Sequence, residues 1–375
     1  MFYFHIPFCK QACHYCDFHF STSLKYKEEL LDAMLKEIEL RASYLKDKKV
    51  ESIYFGGGTP SILKASEIDR LIGQVAKYFE ISLDAEITLE ANPDDLDKKK
   101  VQELRNTEIN RFSIGIQSFY EEDLKWMNRA HNAEEAKSSI MRVQDAGFEN
   151  ITCDLIYGFP LLTDNKWKNN MQQLIDLDIP HISSYSMTVE KKTALAHMIN
   201  KGKTPALNEE QSAEQMLLLI DTLTNAGYEH YEISNFAKPD KYARHNSNYW
   251  KSKSYLGIGP SAHSFNGTSR SWNIANNALY IKGIQTSELP LETEQLSTND
   301  RFNEYVMTSL RTKWGIDQKY VQKEFGDDYL NSILKNIEEY VYNKEVNISE
   351  EGIITLSPSG KLLADQIAAE LFIVE

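Results

Sequence analysis

Cys9, Cys13 and Cys16 crowd into one short stretch of a chain that has four cysteines in all. The C-x3-C-x2-C spacing puts three thiols on one loop. Three thiolates can hold three irons of a [4Fe–4S] cube and leave the fourth iron without a protein ligand. Such an open position is where a substrate or cofactor can meet a metal. The same spacing admits a zinc site completed by His5, His14 or His19, and it admits three inert thiols. Cys153 adjoins Asp154 and should face the other side of its strand, so it reads as core.

Other residues able to do chemistry follow along the chain. The run "GGGTP", with Gly57, Gly58 and Thr59, can bring a ligand close to the backbone or simply make a tight turn. It has neither the lysine of a phosphate loop nor the G-x-G-x-x-G pattern. Glu90, in "EANP", could accept hydrogen bonds from a ribose. Gln117 ends "GIQ", and Arg129 could meet a ligand carboxylate with its planar fork. Asp154 sits inside the apolar run "ITCDLIYGFP", where an unpaired charge is expensive. "HNSNYW", from His245 to Trp250, reads as a loop whose exposed imidazole could ligate haem iron between Tyr249 and Trp250. A packed loop histidine fits that segment equally well. His263 follows in another glycine-flanked turn.

These residues need elements to carry them. Strand-like runs at 1–6, 50–57, 85–92, 111–117, 151–158, 181–187 and 228–234 alternate with helical periodicity at 25–45, 65–78, 133–146, 165–177 and 209–226. Repeated βα units predict a parallel sheet, and a series of about six predicts a curved, partial (β/α)6 barrel in the α/β class. The polar motifs fall at the C-terminal ends of successive strands, where such barrels gather functional residues. After about residue 292 the pattern turns mostly helical and ends in a strand, a Ser-Pro-Ser-Gly turn and a helix, as in a winged-helix-like module. The expected division is therefore 1–235 for the barrel, 236–291 for a connecting segment with the HNSNYW run, and 292–375 for the C-terminal domain.

Composition narrows the setting. With 55 acidic against 41 basic residues the net charge is −14, which disfavours nucleic-acid partners. No signal peptide or run of roughly 20 apolar residues is visible, so any membrane contact is at most peripheral. Few cysteines, clustered, suit a reducing cytoplasm better than a disulfide framework.

Together, "HIPFC" with its three cysteines, "FGGGTP", "EANP", "GIQSF", "DLIYGFP" and "GIGPSAHS" resemble the radical S-adenosylmethionine (SAM) superfamily, in its coproporphyrinogen III dehydrogenase-like branch. The dehydrogenase motif continues to a fourth cysteine where this chain has Phe18, and it is preceded by an N-terminal extension that is nearly absent before Tyr3. Both departures, with His245-Asn246-x-x-Tyr249-Trp250, are similar to the HemW-type haem chaperones. The resemblance implies that Cys9, Cys13 and Cys16 ligate a [4Fe–4S] cluster and that SAM chelates the open iron. It implies that Tyr3, Tyr15, Gly57, Gly58 and Thr59 line the cofactor, that Glu90 contacts its ribose, and that Gln117, Arg129 and Asp154 make further contacts. Ser186 and His263 match further lining positions. It places haem at His245 and Tyr249, and makes haem, haem-accepting apoproteins and an electron donor the partners. The alternative is the oxygen-independent oxidative decarboxylation of coproporphyrinogen III through a 5′-deoxyadenosyl radical, with another radical reaction behind it. Whether the chain is an enzyme is left open.

Overall fold

The computed structural model describes residues 1–374. Six strands in chain order, β1 (Phe2–Ile6), β2 (Lys49–Gly57), β3 (Glu80–Ala91), β4 (Arg111–Gln117), β5 (Ile151–Tyr157) and β6 (His181–Ser186), pair parallel to their neighbours. This is the expected partial barrel. Helices Lys27–Leu40, Ala65–Tyr78, Ala133–Asp145 and Asp164–Asp176 fall in the predicted segments, and apolar residues such as Leu30, Met34 and Ile38 of the first are buried. Covered by such helices, a parallel sheet is buried on both faces, which is why its strands read as apolar runs.

The inward positions depart from that apolar rule. Arg111 on β4 lies near Glu86 on β3 and bonds Thr152 on β5, Thr152 reaches His181 Nδ1 on β6 (3.0 Å), and His181 Nε2 reaches the Tyr231 hydroxyl (2.7 Å). Hydrogen bonding along this chain offsets the cost of burying it. Cys153, at the alternate position, is fully buried in the apolar core, as expected.

Beyond β6 the sheet changes direction. The run expected as a seventh strand is a short hairpin, β7 (Glu229–Glu232) and β8 (Asn235–Ala237), with β8 antiparallel to β6. Gly227 before it ends helix Glu209–Asn225 at φ +86°, the left-handed stop that glycine favours. At the opposite edge β9 (Leu256–Ile258) pairs parallel with β1. Within residues 236–291 β9 thus joins the barrel sheet, whereas β10 (His263–Phe265) and β11 (Ser269–Asn273) form a separate antiparallel sheet with β12 (Leu291–Gln295).

The C-terminal part has its own core, including Phe302, Val306, Ile333, Ile354 and Ile367. Helices surround a small antiparallel sheet of β13 (Ile316–Asp317), β14 (Val346–Ile348) and β15 (Ile353–Leu356). Two successive helices there, Asp327–Asn336 and Glu338–Tyr342, fit the mostly helical pattern expected after about residue 292. Ile233 N–H donates to Arg311 O and Lys313 N–H to Tyr231 O, both at 2.9 Å, tying this part to the β7–β8 hairpin. Among the described residues no helix is long and apolar enough to cross a membrane.

Candidate functional site

The cysteine loop leaves β1 and is pinned at several points. Cys9 N–H donates to Ser21 O (3.1 Å), His14 N–H to Met127 O (3.0 Å), and Asn128 Nδ2 to Ala12 O (2.7 Å). The glycines of β2 make this packing possible. A Cβ at Gly58 would lie 2.7 Å from both Ile6 O and Phe8 O, and one at Gly57 would lie 2.6 Å from the His5 ring. The glycines thus admit the close approach of the protein's own loop on one side, while Gly57 and Gly58 also border the cavity described below. Gly58 N–H and Thr59 N–H donate to Ile6 O (2.9 Å) and Phe8 O (2.7 Å), so the turn clamps the loop.

Each histidine that could have completed a zinc site has a ring nitrogen committed to a partner away from the thiols. His5 Nε2 donates to His19 O (2.9 Å), His14 Nδ1 donates to Trp126 O (2.8 Å), and His19 Nε2 bonds Asn277 Oδ1 (2.8 Å). Among the described residues no three His, Cys, Asp or Glu side chains gather closely enough to hold one ion. Thiols spread around an opening suit a cluster, where each thiolate takes a different iron. Burial pushes the Cys9 thiol up and Cys16 up to about 11.

The strand ends and the cysteine loop enclose a cavity of about 550 Å³. Cys9, Cys13, Cys16, Tyr15, Gly57, Gly58, Thr59, Glu90, Gln117, Arg129, Asp154 and Ser186 all line it, as the sequence led one to expect. Arg129 spans it: Nη2 donates to Asn92 Oδ1 (2.7 Å) and Gly115 O (2.9 Å), while Nη1 faces Cys13 Sγ (3.4 Å). Its buried Nε has no acceptor. Gln117 is held at φ +65° at the end of β4, beside a register shift. That left-handed conformation costs a non-glycine residue energy and is typical of functional sites. Burial pushes Glu90 up to about 7, with the Asp154 charge adding to the rise, and pushes Asp154 up to about 6 against the Arg111 charge. Two carboxylates, a guanidinium whose Nε is unpaired among the described residues, and three thiols fit a polar charged cofactor beside a cluster.

Tyr3 is not brought to this cavity. Its ring stacks with Tyr54 (6.2 Å between centroids) and lines a second cavity of about 760 Å³, with His263 and the His245–Trp250 segment. That segment is a helix, Arg244–Trp250, instead of a loop, and His245 is only 8% exposed. Glu86 on β3 explains the difference, accepting from His245 N–H (2.8 Å) and Arg244 N–H (2.9 Å) and so fixing the helix start against the barrel. Ser52 Oγ bonds His245 Nδ1 (3.0 Å), and burial lowers the imidazole to about 3, so it is neutral at physiological pH. Nε2 has no hydrogen-bond partner among the described residues, and the ring lines the cavity. Phe18 is 66% exposed at the rim of both cavities.

Sequence reasoning passed over Tyr54, Asn92, Ser113 and Tyr185, which line the first cavity. Asn92 lay within the "EANP" run, and Tyr54 stands at an inward position of β2, in step with Gly56.

Comparison with known proteins follows this geometry. The profile described as "Radical SAM superfamily" matches residues 3–174. "Heme chaperone HemW" of Bacillus subtilis is 32% identical over 371 residues, covering 97% of each chain. This chain belongs to the HemW family. A HemW of Lactococcus lactis is 33% identical over 86% of this chain and 84% of its own length. The solved structure of coproporphyrinogen III oxidase (HemN) from Escherichia coli, described as a radical SAM enzyme, superposes with a TM-score of 0.85 at 24% identity, covering 99% of this chain and 89% of that one. At that identity the HemN likeness establishes the fold of this HemW-family chain, not its reaction.

Proposed function

We propose that this protein binds haem and passes it to apoproteins in the cytoplasm, on a barrel that carries a [4Fe–4S] cluster and SAM. The observation that carries the reading is the helix Arg244–Trp250, which turns a neutral imidazole and Tyr249 into a cavity of about 760 Å³. A neutral ring with Nδ1 held by Ser52 and Nε2 free would be able to ligate the haem iron. The relatives named as haem chaperones and the exposed Phe18 at the fourth-cysteine position favour this over decarboxylation.

In the first cavity Cys9, Cys13 and Cys16 would hold the cluster, which when reduced by an electron donor supplies one electron to the SAM sulfonium. Thr59 faces Cys9 and Arg129 faces Cys13, placing a hydrogen bond and a positive charge beside the thiolates. Glu90 accepts the ribose hydroxyls, and Asp154, Gln117 and Tyr15 complete the wall. Residues 1–235 thus carry the cluster and cofactor and 236–291 the haem helix, while 292–375 close the second cavity through Arg311.

Anaerobic reconstitution followed by haem titration at the Soret band tests this. We expect saturable binding that weakens at least tenfold in His245→Ala, with no protoporphyrinogen formed from coproporphyrinogen III. Enzymatic turnover of coproporphyrinogen III, or unchanged haem binding by His245→Ala, would overturn it.

A further inference from the structure

The two cavities share a wall: Asp17, Phe18, Tyr54, Glu90 and Tyr185 line both. Tyr54 reaches a candidate ligand group on each side of it. Its hydroxyl donates to Glu90 Oε1 (2.7 Å), and its ring lies 5.0 Å from the His245 imidazole, tilted by 32°. The ring is confined on its sides by packing, and its hydroxyl is held by the one bond to Glu90. Tyr3 stacks against it, and a Cβ at Gly56 would lie 2.9 Å from Tyr54 Cε1 and 3.0 Å from Glu90 Oε1. On the other side, His245 is tethered through its backbone to Glu86 and through Nδ1 to Ser52. With those tethers fixed, the Tyr54 face is the wall that sets the remaining freedom of the imidazole.

We propose that Tyr54 is a positioning residue that couples the cavities, so that SAM seated on Glu90 tightens haem binding at His245. This rests on the haem-carrying reading above. Ribose hydroxyls on Glu90 hold the carboxylate still, the Tyr54 hydroxyl then has a fixed acceptor, and the phenol ring is ordered against His245 before haem arrives. The ordering cost is met by the first ligand and spared to the second. A single hydrogen bond to a carboxylate supports a coupling near the low end of the usual range, about fivefold. Linkage requires haem to tighten SAM by the same factor.

The test uses the full chain with its cluster reconstituted anaerobically. Fe(III) protoporphyrin IX is titrated at the Soret band with and without saturating SAM, and SAM is titrated by equilibrium dialysis with and without haem. The parent should show about a fivefold gain in each direction. Tyr54→Phe keeps the ring on His245 and removes the hydroxyl. Its haem affinity should be the same with and without SAM. The coupling is overturned if the parent binds haem through His245 with no response to SAM, if the two directions disagree, or if Tyr54→Phe retains the full response. A parent that binds no haem would overturn the haem-carrying reading along with it.

Discussion

Replacing Glu90 with glutamine should stabilise the protein while weakening its hold on SAM. Burial pushes this carboxyl from its ordinary 4.5 up to about 7, with the neighbouring Asp154 charge adding to the rise and the Tyr54 hydroxyl opposing it. At about 1.4 kcal/mol for each tenfold change in proton affinity, that displacement corresponds to ~3 kcal/mol. Glu90 opens onto the cavity, so screening reduces the expected gain to about 1–2 kcal/mol. The sign follows from proton counts. Below pH 4.5 the folded and unfolded chains both hold the proton, and the charge has no effect. Between about 4.5 and 7 the unfolded chain loses it first, so the stability that the parent has at low pH is lost as pH rises through the folded pKa. Glutamine has no proton to lose, and its amide oxygen still accepts from Tyr54. Thermal melts of the cluster-free parent and Glu90→Gln across pH 4–8 should therefore coincide at the acid end. They should separate by roughly 1–3 °C in favour of the variant near pH 7 and stay parallel above it. Equilibrium dialysis should show SAM binding at least tenfold weaker, because the carboxylate proposed to accept the ribose hydroxyls is lost. A melting gap that does not grow with pH, or a variant less stable than the parent at pH 8, would refute the claim that burial holds this carboxyl against its charge.

Gly58→Ala should cost about 1–3 kcal/mol, because the added methyl would meet the backbone of Ile6 and Phe8 at 2.7 Å and neither can rotate away. Denaturant unfolding checks the loss, and iron content after reconstitution should fall with it as the cysteine loop is displaced. Arg129→Lys should lower both iron retention and SAM affinity by about tenfold, since one ammonium cannot serve Asn92 Oδ1, Gly115 O and Cys13 Sγ together. Iron analysis and dialysis measure the two losses separately.

The grouping of polar residues around the first cavity was legible in the sequence. Cys9, Cys13 and Cys16 lie on one loop because their spacing is local. Glu90, Gln117 and Asp154 converge because each stands on a parallel strand near one rim of the barrel. Strand periodicity and the βα alternation suffice to place such residues, and they lined the cavity as expected. The second cavity was decided by the tertiary structure. Tyr3 belongs to it, and His245 is a buried helical residue there, because Glu86 and Ser52, far away in sequence, anchor the helix start. The pairing of β9 with β1 and the short antiparallel β7–β8 hairpin are likewise long-range events with weak local signals. Tyr54 shows the limit most plainly. Its strand was legible, but its place between Glu90 and His245 depends on three segments meeting, and only the folded chain brings them together.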